Sequence, residues 1–385
     1  MKRAFLLFCL LIIMSNCFSV DLKKAGAATE SIQTHAQAAA LIDVTSGVVI
    51  YSKLGDKQMR IASLTKVMTA IVAIEQGDLS DSVTTSKRAA GREGSSIYLK
   101  LGEQMSLQHL LFGLMLRSGN DAATAIAEHV GGTEEGFVYL MNQKAEMLGM
   151  LNSHFMNPHG LDVKDHYSTA NDMAILTAYA LKNPIFQEIV QTKIKKVPNP
   201  NESWGYIWTN KNKMLSLYPG SDGVKTGYTK LSLRCLISSA TRDGQQLAVV
   251  TLNDSDDWAD HSRLLNYGFK NFPIGHLVDK GEPVENGLAT LQAFNYPLTP
   301  EQSKLITRSV KLNDPASLSY RLGTKGILQL SLSNKIIGTV PLVTQGSPLL
   351  DKQNAQAFSF QQSIAAPEAA FVDNWHFFVH ALFNL

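Results

Sequence analysis

Apolar residues recur every three or four positions between residues 64 and 74, which is the spacing of successive turns of an α-helix. We predict a helix that ends at Gly77 and lies buried inside a domain, because it is apolar on more than one face. Ahead of it, the apolar run Ala38–Asp43, a turn at residues 45–47 and a β-branched and aromatic run at 48–51 predict a hairpin.

The same helical spacing returns in three stretches between residues 106 and 149, two of which end at glycines. A capping-box pattern at residues 169–172 predicts a further helix through Leu181, whose length Pro184 limits. Strand patterns at 223–228, 234–240 and 246–252 follow, and then a helix at 258–269. This order predicts a single, mostly antiparallel sheet with helices on both faces, a fold of the α/β (α+β) class.

The pattern changes at about residue 273, where short apolar runs begin to alternate with glycine and proline. The runs at 281–284, 327–332 and 336–342 predict a small β-rich domain over residues 273–352. We therefore predict a main domain at 29–272, followed by the β-rich domain and by a linker with an amphipathic tail at 353–385. In this tail one helical face would hold Phe371, Trp375, Phe378, Leu382 and Phe383.

The first residues have the layout of a signal peptide. Lys2 and Arg3 precede an apolar run at 4–14 that is too short to span a bilayer comfortably. Small residues at 25–28 suggest a cleavage site, so we predict that residues 1–28 direct export and are removed; cleavage nearer Ser19 is an alternative. Cys17 raises a lipoprotein hypothesis that the large Asn16 before it disfavours, and a retained N-terminal anchor is another alternative.

Composition narrows the class of protein. The 385 residues, with 45% apolar and 18% charged residues and a net charge of +2, describe an ordinary globular protein without an electrostatic case for binding nucleic acid. Cleavage near residue 28 would leave Cys235 as the only cysteine, so no internal disulfide would form. The apolar neighbours of Cys235 predict a buried side chain and not a reactive thiolate.

The first of three short motifs carries a candidate nucleophile. Ser63 and Lys66 are three positions apart, which places them on one face of a helix with the serine at its N-terminus. A serine hydroxyl needs a neighbouring base, and a lysine amine can serve when burial and nearby cations lower its pKa. The apolar helix that follows Lys66 would supply this burial.

The second motif, Ser118-Gly119-Asn120, lies between two predicted helices, and the third, Lys225-Thr226-Gly227, lies in a predicted strand. In the third, the lysine and threonine would offer a charge and a hydroxyl to a carboxylate, and the glycine suggests close approach of a ligand to the backbone. Alone, each motif also fits an ordinary structural role, such as a helix cap, a loop or a bulged edge strand. All three in this order favour acyl transfer through a serine ester.

With these motifs the chain resembles the D-alanyl-D-alanine carboxypeptidases, the low-molecular-mass penicillin-binding proteins of peptidase family S11. The likeness runs from about Ala38 to Phe272, and residues 93–99, 114–123 and 141–146 resemble most those of endospore-forming bacteria. The resemblance implies a serine β-lactamase-like (DD-peptidase-like) fold with a C-terminal β-rich domain. It also implies removal of the terminal D-alanine from peptidoglycan stem peptides, inhibition by β-lactams and no metal or organic cofactor.

The resemblance also assigns roles to residues. Ser63 would form the acyl-enzyme, Ser118 would relay a proton between base and leaving group, and Asn120 would orient Lys66 and hold a substrate amide. The backbone N–H groups of Ser63 and Tyr228 would form the oxyanion hole. Some relatives have arginine where this chain has Lys211; because lysine cannot bind a carboxylate bidentately, a carboxylate-holding role there is in doubt.

Other functions stay open at this point. No glutamate occupies the position of the deacylating base of class A β-lactamases, which disfavours a β-lactamase. An endopeptidase that cuts cross-links and a non-catalytic wall-binding protein of the same fold are further alternatives. Five histidines lack the spacing of a metal site, and we expect most of them at the surface or in helix caps: His109, His129, His154, His159 and His166.

The tail has two interpretations. Relatives often end in an amphipathic helix on the membrane, so the resemblance favours peripheral attachment, and Trp375 would suit a headgroup boundary. The segment from Phe371 onward contains no lysine or arginine to attract anionic lipid, however, and a helix docked on the β-rich domain would show the same pattern. We predict contact with the outer face of the cell membrane and keep docking as the alternative.

Overall fold

The computed structural model of the protein describes residues 32–199 and 205–351. The predictions for the leader at 1–28, for lipidation at Cys17 and for the tail at 353–385 concern residues outside these ranges and stay predictions. None of the helices in the two described ranges combines the length and the apolar character needed to cross a bilayer.

The helices and strands follow in chain order. Up to residue 150 they are β1 (Ala38–Asp43), β2 (Val49–Lys53), α1 (Lys66–Gln76), β3 (Ser82–Thr84), α2 (Lys87–Ala90), β4 (Gln104–Ser106), α3 (Leu107–Phe112), α4 (Asn120–Gly131) and α5 (Glu134–Met147). From there to residue 272 they are α6 (Ala170–Ala180), α7 (Pro184–Gln191), β5 (Ile194–Val197), β6 (Tyr206–Thr209), α8 (Met214–Leu217), β7 (Ser221–Thr229), β8 (Leu233–Arg242), β9 (Gln245–Leu252) and α9 (Asp257–Asn271). The remainder are β10 (Ile274–Val278), β11 (Pro283–Val284), β12 (Leu288–Thr290), β13 (Phe294–Pro297), α10 (Pro300–Ser303), β14 (Ile306–Leu312), α11 (Leu318–Arg321), β15 (Gly326–Leu332) and β16 (Lys335–Thr344).

The main sheet has five strands in the order β2-β1-β9-β8-β7, and every neighbouring pair is antiparallel. All six residues of β1 are buried, so both faces of the sheet are covered at its centre. Strand β7, which carries the third motif, is an edge strand. The predicted antiparallel sheet with helices on both faces is confirmed.

Helix α1 runs through the core of this region. Its residues from Lys66 to Ile74 are all buried, as the apolar pattern on more than one face predicted. The helix contacts α4, α5 and α6 and, through the turn before it, strand β7. A lysine at the start of such a helix is therefore taken out of water.

Several local features differ from the predictions. The side chain of Thr169 caps α6 by accepting from the N–H of Asp172 at 3.0 Å, but the Asp172 carboxylate bonds to the loop at residues 152–153 and not back to the cap. Pro184 does not only limit α6, because it is the first residue of α7. The hairpin of β5 with β6 and the pair of β3 with β4 were not predicted.

The C-terminal region is β-rich, as predicted. Five strands form a second antiparallel sheet in the order β11-β12-β16-β15-β14, and β10 pairs with β13. An apolar cluster separate from that of the main region lies here, with buried residues Val278, Leu288, Phe294, Leu328, Leu330, Val340 and Leu342. The predicted domain boundary at residue 272 stays a prediction.

Candidate active site

Ser63 lies in a single 3-10 turn, Ala62–Thr65, that leads directly into α1. The sequence predicted Ser63 at the N-terminus of an α-helix; in the structure this end of the helix is a tighter 3-10 turn. With three residues per turn, side chains three positions apart lie directly above one another. A hydrogen bond of 3.0 Å accordingly joins Nζ of Lys66 to Oγ of Ser63.

The amine of Lys66 is fully buried and forms no ion pair within the described part of the chain. It donates to Oδ1 of Asn120 at 2.7 Å and to the carbonyl of His159 at 2.5 Å. Burial, and then the charges of Lys225 and Lys211, hold the pKa of Lys66 well below the ordinary value for lysine. A neutral amine beside a hydroxyl is the state that a general base requires.

The loop at residues 157–161 borders this amine through a backbone carbonyl. His159 and His166 are both buried, so these two are exceptions to the expectation that most of the five histidines lie at the surface or in helix caps. Nε2 of His166 lies 2.8 Å from Oγ1 of Thr65, and burial lowers the pKa of His166 to about 3. Burial also lowers the pKa of His159. Both rings are therefore neutral at physiological pH, and the ring of His166 contacts the turn that carries Ser63.

The second motif lies where a π-helical turn passes into α4. Ser118 is buried and has a left-handed backbone, with φ of +64°. Asn120, the first residue of α4, accepts from Lys66 and donates through Nδ2 to the carbonyl of Glu93 at 2.7 Å. Asn120 therefore ties the amine to the loop at residues 93–99. Within the described ranges, the Ser118 hydroxyl makes no hydrogen bond to another residue.

The third motif brings a second buried lysine to the cleft. Lys225 is 1% exposed, and its Nζ donates to the carbonyl of Thr226 at 2.8 Å. Burial, followed by the charge of Lys211, lowers the pKa of Lys225 to about 7. An anion bound there would favour the charged form of Lys225, so carboxylate binding is coupled to proton uptake near neutral pH.

Gly227 lies in close contact with another part of the chain. A Cβ atom at this position would lie 3.3 Å from Cβ of Ala62 and 3.3 Å from the carbonyl oxygen of Ile61. Close packing of β7 on the turn that carries Ser63 is therefore a second reason for a glycine here, and the close approach of a ligand stays a prediction. Tyr228 follows with its side chain 63% exposed, so its backbone and not its ring is held beside the turn.

Comparisons with known proteins agree with this arrangement. Residues 24–256 match the family described as Peptidase_S11, D-alanyl-D-alanine carboxypeptidase. The chain belongs to this family. The resemblance inferred from the motifs is thereby confirmed, and so is the DD-peptidase-like fold.

Individual relatives of this S11 chain are similar over most of their length. D-alanyl-D-alanine carboxypeptidase DacF of Bacillus subtilis (strain 168) is 33% identical over 344 residues, which cover 84% of this chain and 88% of the relative. DacA of Escherichia coli (strain K12) is 34% identical over 342 residues, with coverages of 82% and 81%. The structure of penicillin binding protein 5 from Haemophilus influenzae aligns with a TM-score of 0.68 and 27% identity over 81% of this chain and 97% of that one.

The sequence analysis missed Asp121, which holds the loop at residues 96–99 beside the S11 site. Its buried carboxylate accepts from the backbone N–H groups of Ile97 and Leu99, each at 3.1 Å, and from the hydroxyl of Ser96 at 2.6 Å. It thereby holds the loop that Asn120 contacts. Its position next to Asn120 was the one signal in the sequence, and a carboxylate there also fits an ordinary first-turn residue of a helix.

Cys235 plays no part in the site. The side chain is buried, and burial raises the pKa of its thiol to about 12. The thiol therefore stays protonated, as the sequence predicted for an apolar strand position.

Proposed function

We propose that this chain is a serine-type D-Ala-D-Ala carboxypeptidase, which removes the terminal D-alanine from peptidoglycan stem peptides through an acyl-enzyme on Ser63. Family membership supports the reaction class, and the cleft supports the assignment of roles. The observation that carries the proposal is the pair of Ser63 and Lys66, 3.0 Å apart, with the pKa of the buried amine held well below its ordinary value.

The reaction begins when neutral Lys66 takes the proton of the Ser63 hydroxyl and Oγ attacks the carbonyl carbon between the two D-alanines. The oxyanion is stabilised by the backbone N–H groups of Ser63 and Tyr228. As the C–N bond breaks, Ser118 passes the proton from Lys66 to the leaving amine. Lys225 and Thr226 hold the carboxylate of the departing D-alanine. Water then attacks the ester, releases the shortened peptide and restores the hydroxyl.

β-Lactams would acylate Ser63 as mimics of the same substrate. In the described ranges no carboxylate bonds to Ser63 or Lys66. No carboxylate beside the nucleophile is therefore a candidate base for hydrolysis of the penicilloyl ester. This favours a penicillin target over a β-lactamase. No step of the reaction requires a metal or an organic cofactor.

We propose, further, that the protein acts outside the cytoplasmic membrane, where its substrate lies. The signal-peptide layout of residues 1–28 supports export, and the amphipathic pattern from Phe371 onward supports contact with the membrane. Fractionation of cells that express the full chain, with detection of the processed N-terminus, tests this part.

The enzymatic proposal is tested with diacetyl-L-Lys-D-Ala-D-Ala and with the same tripeptide ending in L-alanine. We expect release of free D-alanine from the first and no hydrolysis of the second. Cross-linked muropeptide dimers distinguish the alternatives: cleavage of the dimer at a higher rate than the tripeptide would replace the carboxypeptidase with an endopeptidase. Rapid turnover of benzylpenicillin without a stable adduct would favour a β-lactamase. Absence of both D-alanine release and penicillin labelling would support a non-catalytic wall-binding protein.

A further inference from the structure

A groove of about 530 Å³ opens on the surface next to the active site. We call it the Tyr98 groove. One wall is the loop with Ser96 and Tyr98, the other is strand β6 with Ile207 and Trp208, and Arg117 lies between the two walls. None of these residues belongs to the three motifs, and the proposed reaction does not use them.

The groove is continuous with the catalytic cleft through shared backbone. The carbonyl of Ser95 accepts from the N–H of Asn120 at 2.7 Å, and the hydroxyl of Ser95 lies 3.4 Å from Nζ of Lys211. Arg117 directly precedes Ser118. A peptide bound at Ser63 that continues along this loop would therefore enter the groove.

The apolar wall of the groove is held rigidly and left exposed. Tyr98 is 82% exposed and has a φ of +65°, a backbone conformation that costs free energy for a tyrosine. The carboxylate of Asp121 fixes the N–H groups on both sides of Tyr98, and the hydroxyl of Ser96 accepts from the Tyr98 N–H at 2.8 Å. Such an aromatic ring adds little to the core, so its placement suits contact with a ligand.

The opposite wall presents a similar surface. The rings of Tyr206 and Trp208 are stacked with their centroids 5.5 Å apart, and buried Trp208 anchors the strand on that face. Ile207, between them in the strand, points outward and is 65% exposed. The aliphatic part of a peptide side chain would pack between Tyr98 and Ile207.

Arg117 and Lys100 are the cationic residues that line the groove, and Arg117 is the one next to the second motif. Its Nη1 donates to the carbonyl of Thr209 at 3.1 Å, and it forms no ion pair with a carboxylate in the described ranges. The guanidinium has further N–H donors in a planar fork that suits a carboxylate. It lies close enough to Lys211 that, after burial, its charge is the second cause of the lowered pKa of Lys211. Cationic groups thus lead from the groove into the cleft.

The chemistry of the substrate limits what this charge can bind. In a carboxypeptidase the leaving group is one D-alanine, and its carboxylate is already assigned to Lys225 and Thr226. A further cation outside the cleft therefore serves the acyl-donor part of the peptide. Resting on the proposed function, we propose that the Tyr98 groove binds an acidic residue of the stem peptide upstream of D-Ala-D-Ala, with Arg117 on its carboxylate and Tyr98 on its aliphatic part.

The test uses two pentapeptides that differ in one group. The first is L-Ala-γ-D-Glu-L-Lys-D-Ala-D-Ala, and the second has the free carboxylate of its glutamate replaced by a carboxamide. We expect the protein to hydrolyse the acid with the higher kcat/KM. Arg117→Gln should lower the ratio of the two kcat/KM values about tenfold, the loss expected for one charge-assisted hydrogen bond. Arg242→Gln, which changes an arginine that stacks on Tyr218 and Phe269, is the matched control and should preserve the ratio.

The aromatic wall is tested separately. Tyr98→Ala should lower kcat/KM for both pentapeptides about fivefold, because packing does not depend on the carboxylate. Tyr139→Ala removes a similarly exposed tyrosine from α5 and is the control. Equal hydrolysis of acid and amide by the unmodified protein, or an equal loss on both after Arg117→Gln, would overturn the proposal; the equal loss would show that Arg117 acts only through its neighbours Ser118 and Lys211.

A binding measurement separates this proposal from the proposed function. Dissociation constants of the two pentapeptides are measured with the Ser63→Ala protein, in which no turnover occurs. Tighter binding of the acid, lost on adding Arg117→Gln, supports the groove even if the unmodified protein releases no D-alanine. Equal binding of acid and amide refutes the groove even if D-alanine release is efficient.

Discussion

Two regions of the molecule bury charged groups in opposite ways. In the cleft, Lys66 and Lys225 are buried with no carboxylate partner in the described part of the chain, and burial lowers the pKa of both. At the start of α9, buried Asp260 bonds to the guanidinium of Arg263 and to the backbone N–H of His35, and its pKa is lowered.

Paired buried charges stabilise the fold, whereas unpaired buried amines serve the chemistry of the cleft. A buried charge with a partner holds two segments together, and breaking the pair is costly. When an amine is buried without a carboxylate partner, burial destabilises its charged form. Such an amine is retained where a neutral or easily titrated amine is useful. His35, Asp256 and Asp260 lie close enough to resemble a set of metal ligands, but Arg263 contacts both aspartates and supplies the positive charge. This region is therefore interpreted as a structural ion-pair cluster.

The largest effect is expected at the nucleophile. Ser63→Ala should reduce D-alanine release by at least about 10⁴-fold and abolish covalent labelling by penicillin, since no other group forms the ester. The free energy of unfolding should change little. Ser216→Ala, at an exposed serine of α8, is the control. Full labelling of the Ser63→Ala protein would show that another residue is acylated.

A buried lysine of the cleft should be costly for catalysis and not for folding. Lys225→Met should lower kcat/KM about 100-fold through loss of the carboxylate-binding charge. It should raise the free energy of unfolding by about 1 kcal/mol at pH 7, because an unpaired amine leaves the core.

The stability gain from Lys225→Met should depend on pH in a defined direction. The pKa of Lys225 is about 7 in the folded chain and higher when unfolded, so the unfolded state binds more protons between about pH 7 and the ordinary pKa of lysine. Stability of the unmodified protein should rise with pH across that window, and the gain from Lys225→Met should shrink. Lys230→Met, at an exposed lysine, should show neither effect. A lower melting temperature with normal kinetics would make Lys225 structural.

A substitution in the ion-pair cluster should be costly for folding and not for catalysis. Asp260→Asn should lower the free energy of unfolding by about 3 kcal/mol, because Arg263 loses its buried partner. The rate of penicillin acylation by the folded protein should stay within about twofold. Chemical denaturation and acylation kinetics check the two expectations, with Asp256→Asn at a half-exposed aspartate as control. A large fall in acylation at unchanged stability would contradict the structural interpretation.

The smallest effect is a shift in pH dependence. The charge of Lys211 contributes to the lowered pKa of Lys66, after burial and Lys225. Lys211→Gln removes one cation, which favours protonated Lys66 and raises its pKa. The ascending limb of the acylation rate should therefore move up by about half a pH unit. Lys213→Gln, at an exposed lysine two residues away, should leave the limb in place. A shift to lower pH would contradict the electrostatic account.

Much of the fold was predictable because its signals are local. The apolar pattern of α1 on more than one face predicted its burial inside a domain, and the run Ala38–Asp43 predicted a strand. The three motifs were found from residue types and spacing, and the structure brings Ser63, Lys66 and Asn120 within hydrogen-bonding distance.

The features that were missed depend on contacts between distant parts of the chain. The carbonyl of His159 reaches Lys66 across 93 positions, and a backbone carbonyl has no signature in sequence. Asp121 holds backbone N–H groups more than 20 positions away, and Gly227 lies where β7 packs closely on the turn at residue 62. Local patterns do not encode which segment comes to lie against another.

The most direct test of the account is the protonation state of Lys66 in the folded protein. The protein is labelled with ¹³C at the lysine side chains, and the Cε signal that disappears in Lys66→Met is followed by NMR as the pH is raised. The account predicts a midpoint well below the value near 10.4 of an ordinary lysine. A midpoint at or above that value would show that Lys66 is a cation at physiological pH, and it would contradict its role as the general base for Ser63.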